Sequence, residues 1–321
     1  MFRQLCYLTF LALAWTMPLE PRGAVQRVIQ SNFPDPSFVK AGNTYYAFGT
    51  SGADGIPVST STDFKTWTPA RGHALSGAGS WSNGRNIWAP SVHKIGHQFV
   101  MYYTARNKDD STQCIGVATS SKPEGPYHPV GSDPIVCDKA RGGAIDPFGY
   151  IEDNGSVWLV YKVDGNSLGH GGSCNNGVAP QKATPIMAQR MSGDGITKDG
   201  SKPVQILDRD NRDGPLVEAP ALIKKDGVYY LFFSSGCYAQ DTYDSSYATS
   251  DHLLGPYTKA AKPLLLTHKP FNNLYAPGGL SVGANGEANV VFHADKGTSA
   301  NTRQMYTGTL KFDSHKRVVS L

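Results

Sequence analysis

Five dipeptides ending in proline punctuate the chain: Asp35-Pro36, Ala89-Pro90, Asp146-Pro147, Ala219-Pro220 and Ala276-Pro277. Three of these places carry a carboxylate, at Asp35, at Asp146 and, one residue earlier, at Glu218. The other two carry Trp88 and Tyr275 at the equivalent place. A fold that gathers these positions would put three acids and two aromatic faces in one pocket. Clustered acids raise one another's pKa and are desolvated together, which costs stability, so such a cluster serves chemistry or a cation. Two carboxyls across a pocket suit cleavage of a glycosidic bond. One must stay protonated to donate to the leaving oxygen, and the other must be ionised to activate water or attack carbon. Each acid also has a plainer reading. Asp35 and Asp146 precede Pro and could be turn acids. Glu218 lies between Val217 and Ala219, and a buried acid is rare without a role.

The elements that would position these residues repeat with the dipeptides, at intervals of 54, 57, 73 and 57 residues. Six to nine residues after each Pro comes a Gly suited to a hairpin tip: Gly42, Gly96, Gly155, Gly227 and Gly286. An apolar, often aromatic strand follows each (TYYAFGTS, FVMYYTAR, VWLVYKVD, VYYLFFSS, NVVFHADK), and then a third strand. A multi-strand unit on a period of 40–60 residues marks a propeller, because radial packing buries both faces of each small sheet. The expectation is an all-β, five-bladed β-propeller in a single domain over residues 25–321, with few and short helices. In such a fold the first strands line the central channel, so the X-Pro positions should meet at one mouth.

Composition fits this reading. The 321 residues include 35 Gly, 21 Pro, 16 Tyr and 13 Phe, which favours a turn-rich β protein. Charged residues are 17% and the net charge is +4 without a basic run, which argues against nucleic-acid binding. Beyond the N-terminus no stretch is apolar enough to span a membrane. Residues 1–24 read as a secretory signal and short leader: Arg3, an apolar run over residues 5–15, then Pro and charge, with the cut placed between 17 and 25. Secretion agrees with the cysteines. Without Cys6 four remain, and of their three pairings Cys114–Cys137 and Cys174–Cys237 are favoured. Asn154-Gly155-Ser156 is a glycosylation sequon at a hairpin tip.

At these residues the sequence resembles glycoside hydrolase family 43, the five-bladed arabinanase, arabinofuranosidase and β-xylosidase group. The resemblance runs over about residues 32–313. Its carriers are Phe33-Pro34-Asp35-Pro36-Ser37, Ile87-Trp88-Ala89-Pro90, Ala144-Ile145-Asp146-Pro147 and Val217-Glu218-Ala219-Pro220. It implies an inverting O-glycosyl hydrolase with Asp35 as general base, Glu218 as general acid, and Asp146 orienting that acid and raising its pKa. Trp88 and Tyr275 are assigned to sugar stacking by their place in the repeat. Arg303 resembles the last-blade arginine that pairs with the catalytic acids or a sugar hydroxyl. His293 resembles the fifth-blade histidine that in many members faces a central cation, often calcium with its waters; the alternative is a channel histidine without metal. No cofactor is implied for the chemistry.

The implied partner is a plant cell-wall polysaccharide or oligosaccharide, met outside the cell by a monomer. The long third interval carries an insertion at residues 164–185 that should overhang the pocket mouth. A walled pocket favours release of single sugars from chain ends over internal cuts. The absence of a β-sandwich extension tilts the reading towards α-L-arabinofuranosyl linkages of arabinan or arabinoxylan, with β-D-xylosidase as the alternative. A retaining β-fructosidase-like propeller would place an Asn-Asp-Pro-Asn-like string in blade one. A non-catalytic sugar-binding propeller would repeat one pocket in every blade, whereas here the five positions differ in chemistry.

Overall fold

The computed structural model describes residues 25–51, 55–284, 287–295, 297 and 302–321. Residues 1–24, expected to be a secretory signal and leader, and Gly286 lie outside the described residues. Five four-stranded antiparallel sheets form the blades of a β-propeller. Blade I runs Ser37–Ala41, Thr44–Phe48, Ile56–Ser61 and Thr68–Leu75. The second strands of blades II to V are Gln98–Arg106, Val157–Val163, Val228–Ser235 and Asn289–Asp295, the apolar runs of the repeat. Blade V takes its outer strand from the other end of the propeller: Gln26–Ile29 pairs with Arg303–Thr309 and closes the ring. Among the described residues helix is confined to short 3-10 turns such as Lys139–Arg141 and Gly165–Leu168.

The core lies between the blades. Phe48, Ile87, Met101 and Tyr103 pack in the cluster shared by blades I and II. Tyr102, Leu159, Tyr161 and Met187 do the same between II and III. A larger cluster including Phe232 and Phe292 spans blades III to V. A sheet apolar on both faces is stable only when both are covered, and the radial arrangement supplies this.

Every blade opens on the same local irregularity. The residue before each Pro has positive φ: Asp35 49°, Ala89 44°, Asp146 55°, Ala219 50° and Ala276 47°. For non-Gly residues the left-handed region costs of order 1–3 kcal/mol each. In blades II, III and IV the ladder register shifts across it, between Trp88 and Ser91, Ile145 and Phe148, and Glu218 and Ala221. The Pro removes one ladder donor, and the kinked residue turns its own N–H towards a side chain. The acceptors are His293 Nδ1, Thr50 Oγ1, Thr104 Oγ1, Asp146 Oδ2 and Thr267 Oγ1, at 2.8–3.1 Å. Residues from all five inner strands, among them Pro36, Pro90, Pro147, Pro220 and Leu280, line one narrow channel of about 30 Å³.

Cys114 is bonded to Cys137 and Cys174 to Cys237. The second bridge ties the 164–185 insertion of blade III to the loop after the second strand of blade IV. Ser173 Oγ also donates to Gln240 Oε1 across it, at 2.6 Å. Asn154 sits on an exposed tip, where its Oδ1 accepts the Ser156 N–H at 2.9 Å.

Candidate active site

The three acids line one cavity of about 530 Å³ above the channel. Trp88 and Arg303 share its wall with Thr50, Lys162, Tyr238 and Tyr243. The insertion contributes Asp164, Asn166, Ser167, Cys174 and Asn175. Tyr275 is not in the lining; its ring lies 6.4 Å from that of His268. The structure therefore gathers Asp35, Asp146, Glu218, Trp88 and Arg303 and leaves Tyr275 aside.

Asp35 is held from three sides. Thr50 Oγ1 donates to its Oδ2 at 2.6 Å, Arg303 Nη1 donates to its Oδ1 at 3.0 Å, and its own N–H reaches His293 Nδ1 at 3.1 Å. Burial alone would raise its pKa. The Arg303 charge and the hydrogen bonds from Thr50 and Arg303 outweigh burial and leave the carboxyl below its usual value. The Arg303 guanidinium is in turn stacked on the Tyr238 ring, 4.9 Å from its centroid.

Asp146 and Glu218 form a second unit. Asp146 Oδ2 accepts the Ala219 N–H at 2.9 Å, next to Glu218 in the chain. Glu218 Oε1 accepts from Tyr243 Oη at 2.8 Å, and its Oε2 accepts from Lys162 Nζ at 3.1 Å. Burial and the Glu218 charge push Asp146 up to about 8, against the pull of Lys162. Asp146 is thereby biased towards its protonated form beside Glu218. Burial lowers the Lys162 pKa, but Glu218, Asp164 and Asp146 outweigh it and keep the ammonium charged. Burial holds the Tyr243 phenol protonated, as a donor. The cavity thus sets a carboxyl held below its usual pKa on blade I against one held above it on blade III.

His293 is fully buried, and burial brings its imidazole down to about 3, so it is neutral. Its Nδ1 accepts the Asp35 N–H, so the neutral ring carries its proton on Nε2. Among the described residues that Nε2 is buried without a hydrogen-bond partner. A protonated ring nitrogen has no lone pair for a cation. Calcium takes about six to eight oxygen ligands, and among the described residues no group of three or more His, Cys, Asp or Glu is placed to hold a metal. The residues present do not fit direct ligation of calcium by His293. Gly278 and Gly279 make room for this arrangement. A Cβ on Gly279 (φ +58°) would lie 2.7 Å from His293 Nδ1, and one on Gly278 would strike the Tyr243 ring.

The sequence reading did not single out Thr50, Lys162, Tyr238 or Tyr243 as site residues, and it met Asp164 just as the first residue of the 164–185 insertion. Lys162 did have a signal there: a lone charge inside the apolar strand VWLVYKV.

The fold and cavity together define a class: a five-bladed propeller whose three channel-mouth carboxyls face one pocket. The chain belongs to glycosyl hydrolases family 43, whose family signature matches residues 25–314. It is similar to an extracellular endo-α-(1→5)-L-arabinanase of Bacillus subtilis (29% identical, covering 72% of this chain and 69% of that protein). It is also similar to a β-D-galactofuranosidase of Aspergillus niger (28% identical, 68% of this chain and 62% of that protein). A crystal structure of a thermostable family-43 glycoside hydrolase superposes with a TM-score of 0.75 at 26% identity, over 94% of each chain. The chain thus spans between six and seven tenths of the length of these two curated relatives.

Proposed function

We propose that this chain is a secreted, monomeric, inverting glycoside hydrolase that releases α-L-arabinofuranosyl units from plant arabinan or arabinoxylan. The observation that carries the reading is the single cavity shared by Asp35, Asp146 and Glu218. Asp35, kept ionised beside Arg303, takes a proton from water as the water oxygen attacks the anomeric carbon. The glycosidic C–O bond breaks, and Glu218 gives its proton to the leaving oxygen. Asp146 orients Glu218 and shares that proton before it is delivered. Protons exchanged with solvent reset both groups. Inversion requires the base and acid carboxyls roughly 6.5–9.5 Å apart, with room for the water. Trp88 offers an aromatic face to the sugar, and the wall built by the insertion supports attack at chain ends. The arabinanase relative and the disulfides support the sugar and the secreted setting.

The test is hydrolysis of aryl α-L-arabinofuranoside, aryl β-D-xyloside, and linear and debranched arabinan by residues 25–321, beside Glu218→Gln. Release from the arabinofuranoside and from arabinan is expected. For a sugar leaving group the variant should lose about 10²–10⁴-fold, the range of general acid catalysis. Release from the xyloside alone would move the enzyme to β-xylosidase. Oligosaccharides from arabinan without aryl activity would make it an endo enzyme. Silence on all four substrates with sugar binding intact would make it a binding propeller.

A further inference from the structure

Lys162 is the most deeply buried charge beside the acids, with 0% of its surface exposed. It leaves the second strand of blade III and reaches two carboxylates on different elements. One is Glu218 Oε2 at 3.1 Å; the other is Asp164 Oδ1 at 3.5 Å. Asp164 opens the 164–185 insertion, where its backbone N–H donates to Gly143 O and its carbonyl accepts the Ser167 N–H. The same insertion carries Cys174 into the cavity wall and is bonded to Cys237. A buried ammonium left unpaired is costly, so neither carboxylate can move away freely.

We propose that Lys162 is a positioning residue that couples the pocket-wall insertion to the acid Glu218, through Asp164 on one side and Glu218 Oε2 on the other. The inference rests on the reading of Glu218 as general acid. Lys162 and Tyr243 occupy opposite oxygens of Glu218 and fix its rotamer. The charged and titratable groups around Glu218 are Lys162, Asp146, Asp164, Tyr243 and Arg303, with Asp35 across the cavity. Lys162 is the cation in hydrogen-bonding contact with Glu218. Its charge favours the ionised form of the Asp146–Glu218 pair, and Asp164 offsets part of that charge.

The signs give a two-way test. The alkaline limb of the kcat/KM profile follows loss of the proton from the pair. In Lys162→Met the pair should hold its proton more tightly, and the limb should move up by about 1–3 pH units, the range for loss of an adjacent opposite charge. In Asp164→Asn the charge of Lys162 acts on Glu218 undivided, and the limb should move down. Lys162→Arg should bring the limb back towards wild type. Rates are measured on an arabinose disaccharide and on the aryl arabinofuranoside. The loss in Lys162→Met should be larger for the disaccharide, whose leaving group needs the proton. Limbs that coincide with wild type in Lys162→Met and Asp164→Asn overturn the inference. If Lys162→Met does not fold, the downward shift in Asp164→Asn decides. Wild-type inactivity, or full activity in Glu218→Gln, would instead overturn the assignment of Glu218 itself.

Discussion

Asp35 keeps its charge because Arg303 stays beside it, and Arg303 stays because Tyr238 covers its face. Without Arg303 the burial of Asp35 dominates, and the carboxyl titrates higher. In Arg303→Met the acidic limb of kcat/KM should therefore move to higher pH, a shift read directly from the pH profile. A limb that stays in place would show that Thr50 alone holds the charge. At this scale the sequence was legible where chemistry repeats with the blades: Asp35, Asp146 and Glu218 could be picked out by spacing. Tyr275 could not be judged that way. Glu218 and Trp88 hold the place before the kinked residue and both face the cavity. In blade V the Ala276 N–H is taken by Thr267, and the adjacent His268 takes the Tyr275 ring. Lys162 and Tyr243 come to Glu218 from distant parts of the chain, and no local pattern announces that meeting.

The kinked X-Pro steps are the elements that aim these side chains. Ala89 shows their cost at a step that bears no carboxylate. At φ 44° a β-branched side chain is strained, so Ala89→Val should lose about 1–3 kcal/mol. Ala89→Gly relieves the strain while freeing the unfolded chain, and should stay within about 1 kcal/mol of wild type. Chemical denaturation of the three proteins checks both. Equal loss in Val and Gly would place the cost elsewhere than in φ. The dipeptides were readable as a repeat, but the reason for them was not, because a left-handed residue before Pro appears only in the backbone. Second strands were legible as apolar runs, inner strands by the X-Pro steps that open them, and third strands as the segments that follow. The outer strands were not: His128–Pro129 and Thr258–Lys259 are two residues long and carry no period. Gln26–Ile29 pairs with a strand at the far end of the chain, beyond any local window.

For the molecule as a whole, the Cys174–Cys237 bridge joins the two loops that attend the two acids. The insertion reaches Glu218 through Asp164 and Lys162, and the blade IV loop reaches Asp35 through Tyr238 and Arg303. The bridge spans 63 residues, and closing such a loop is worth up to about 4 kcal/mol in chain entropy. The double variant Cys174→Ser, Cys237→Ser should unfold at lower denaturant and show a raised KM for arabino-oligosaccharides. An unchanged KM would show that the wall stands without its staple. The five-fold architecture was legible from the period, while the share of the cavity built by the insertion was legible only as a long interval. The ring itself has a further property. Val25 and Leu321 both lie against Gly308, since a Cβ there would meet Val25 Cγ1 and Leu321 Cδ2. The propeller is fastened by hydrogen bonds at a seam where Val25 and Leu321 are neighbours. For residues 25–321, a short peptide joining Val25 to Leu321, with a new opening cut in an outer hairpin, would yield a circular permutant in which the site is untouched and the order of blade synthesis is changed.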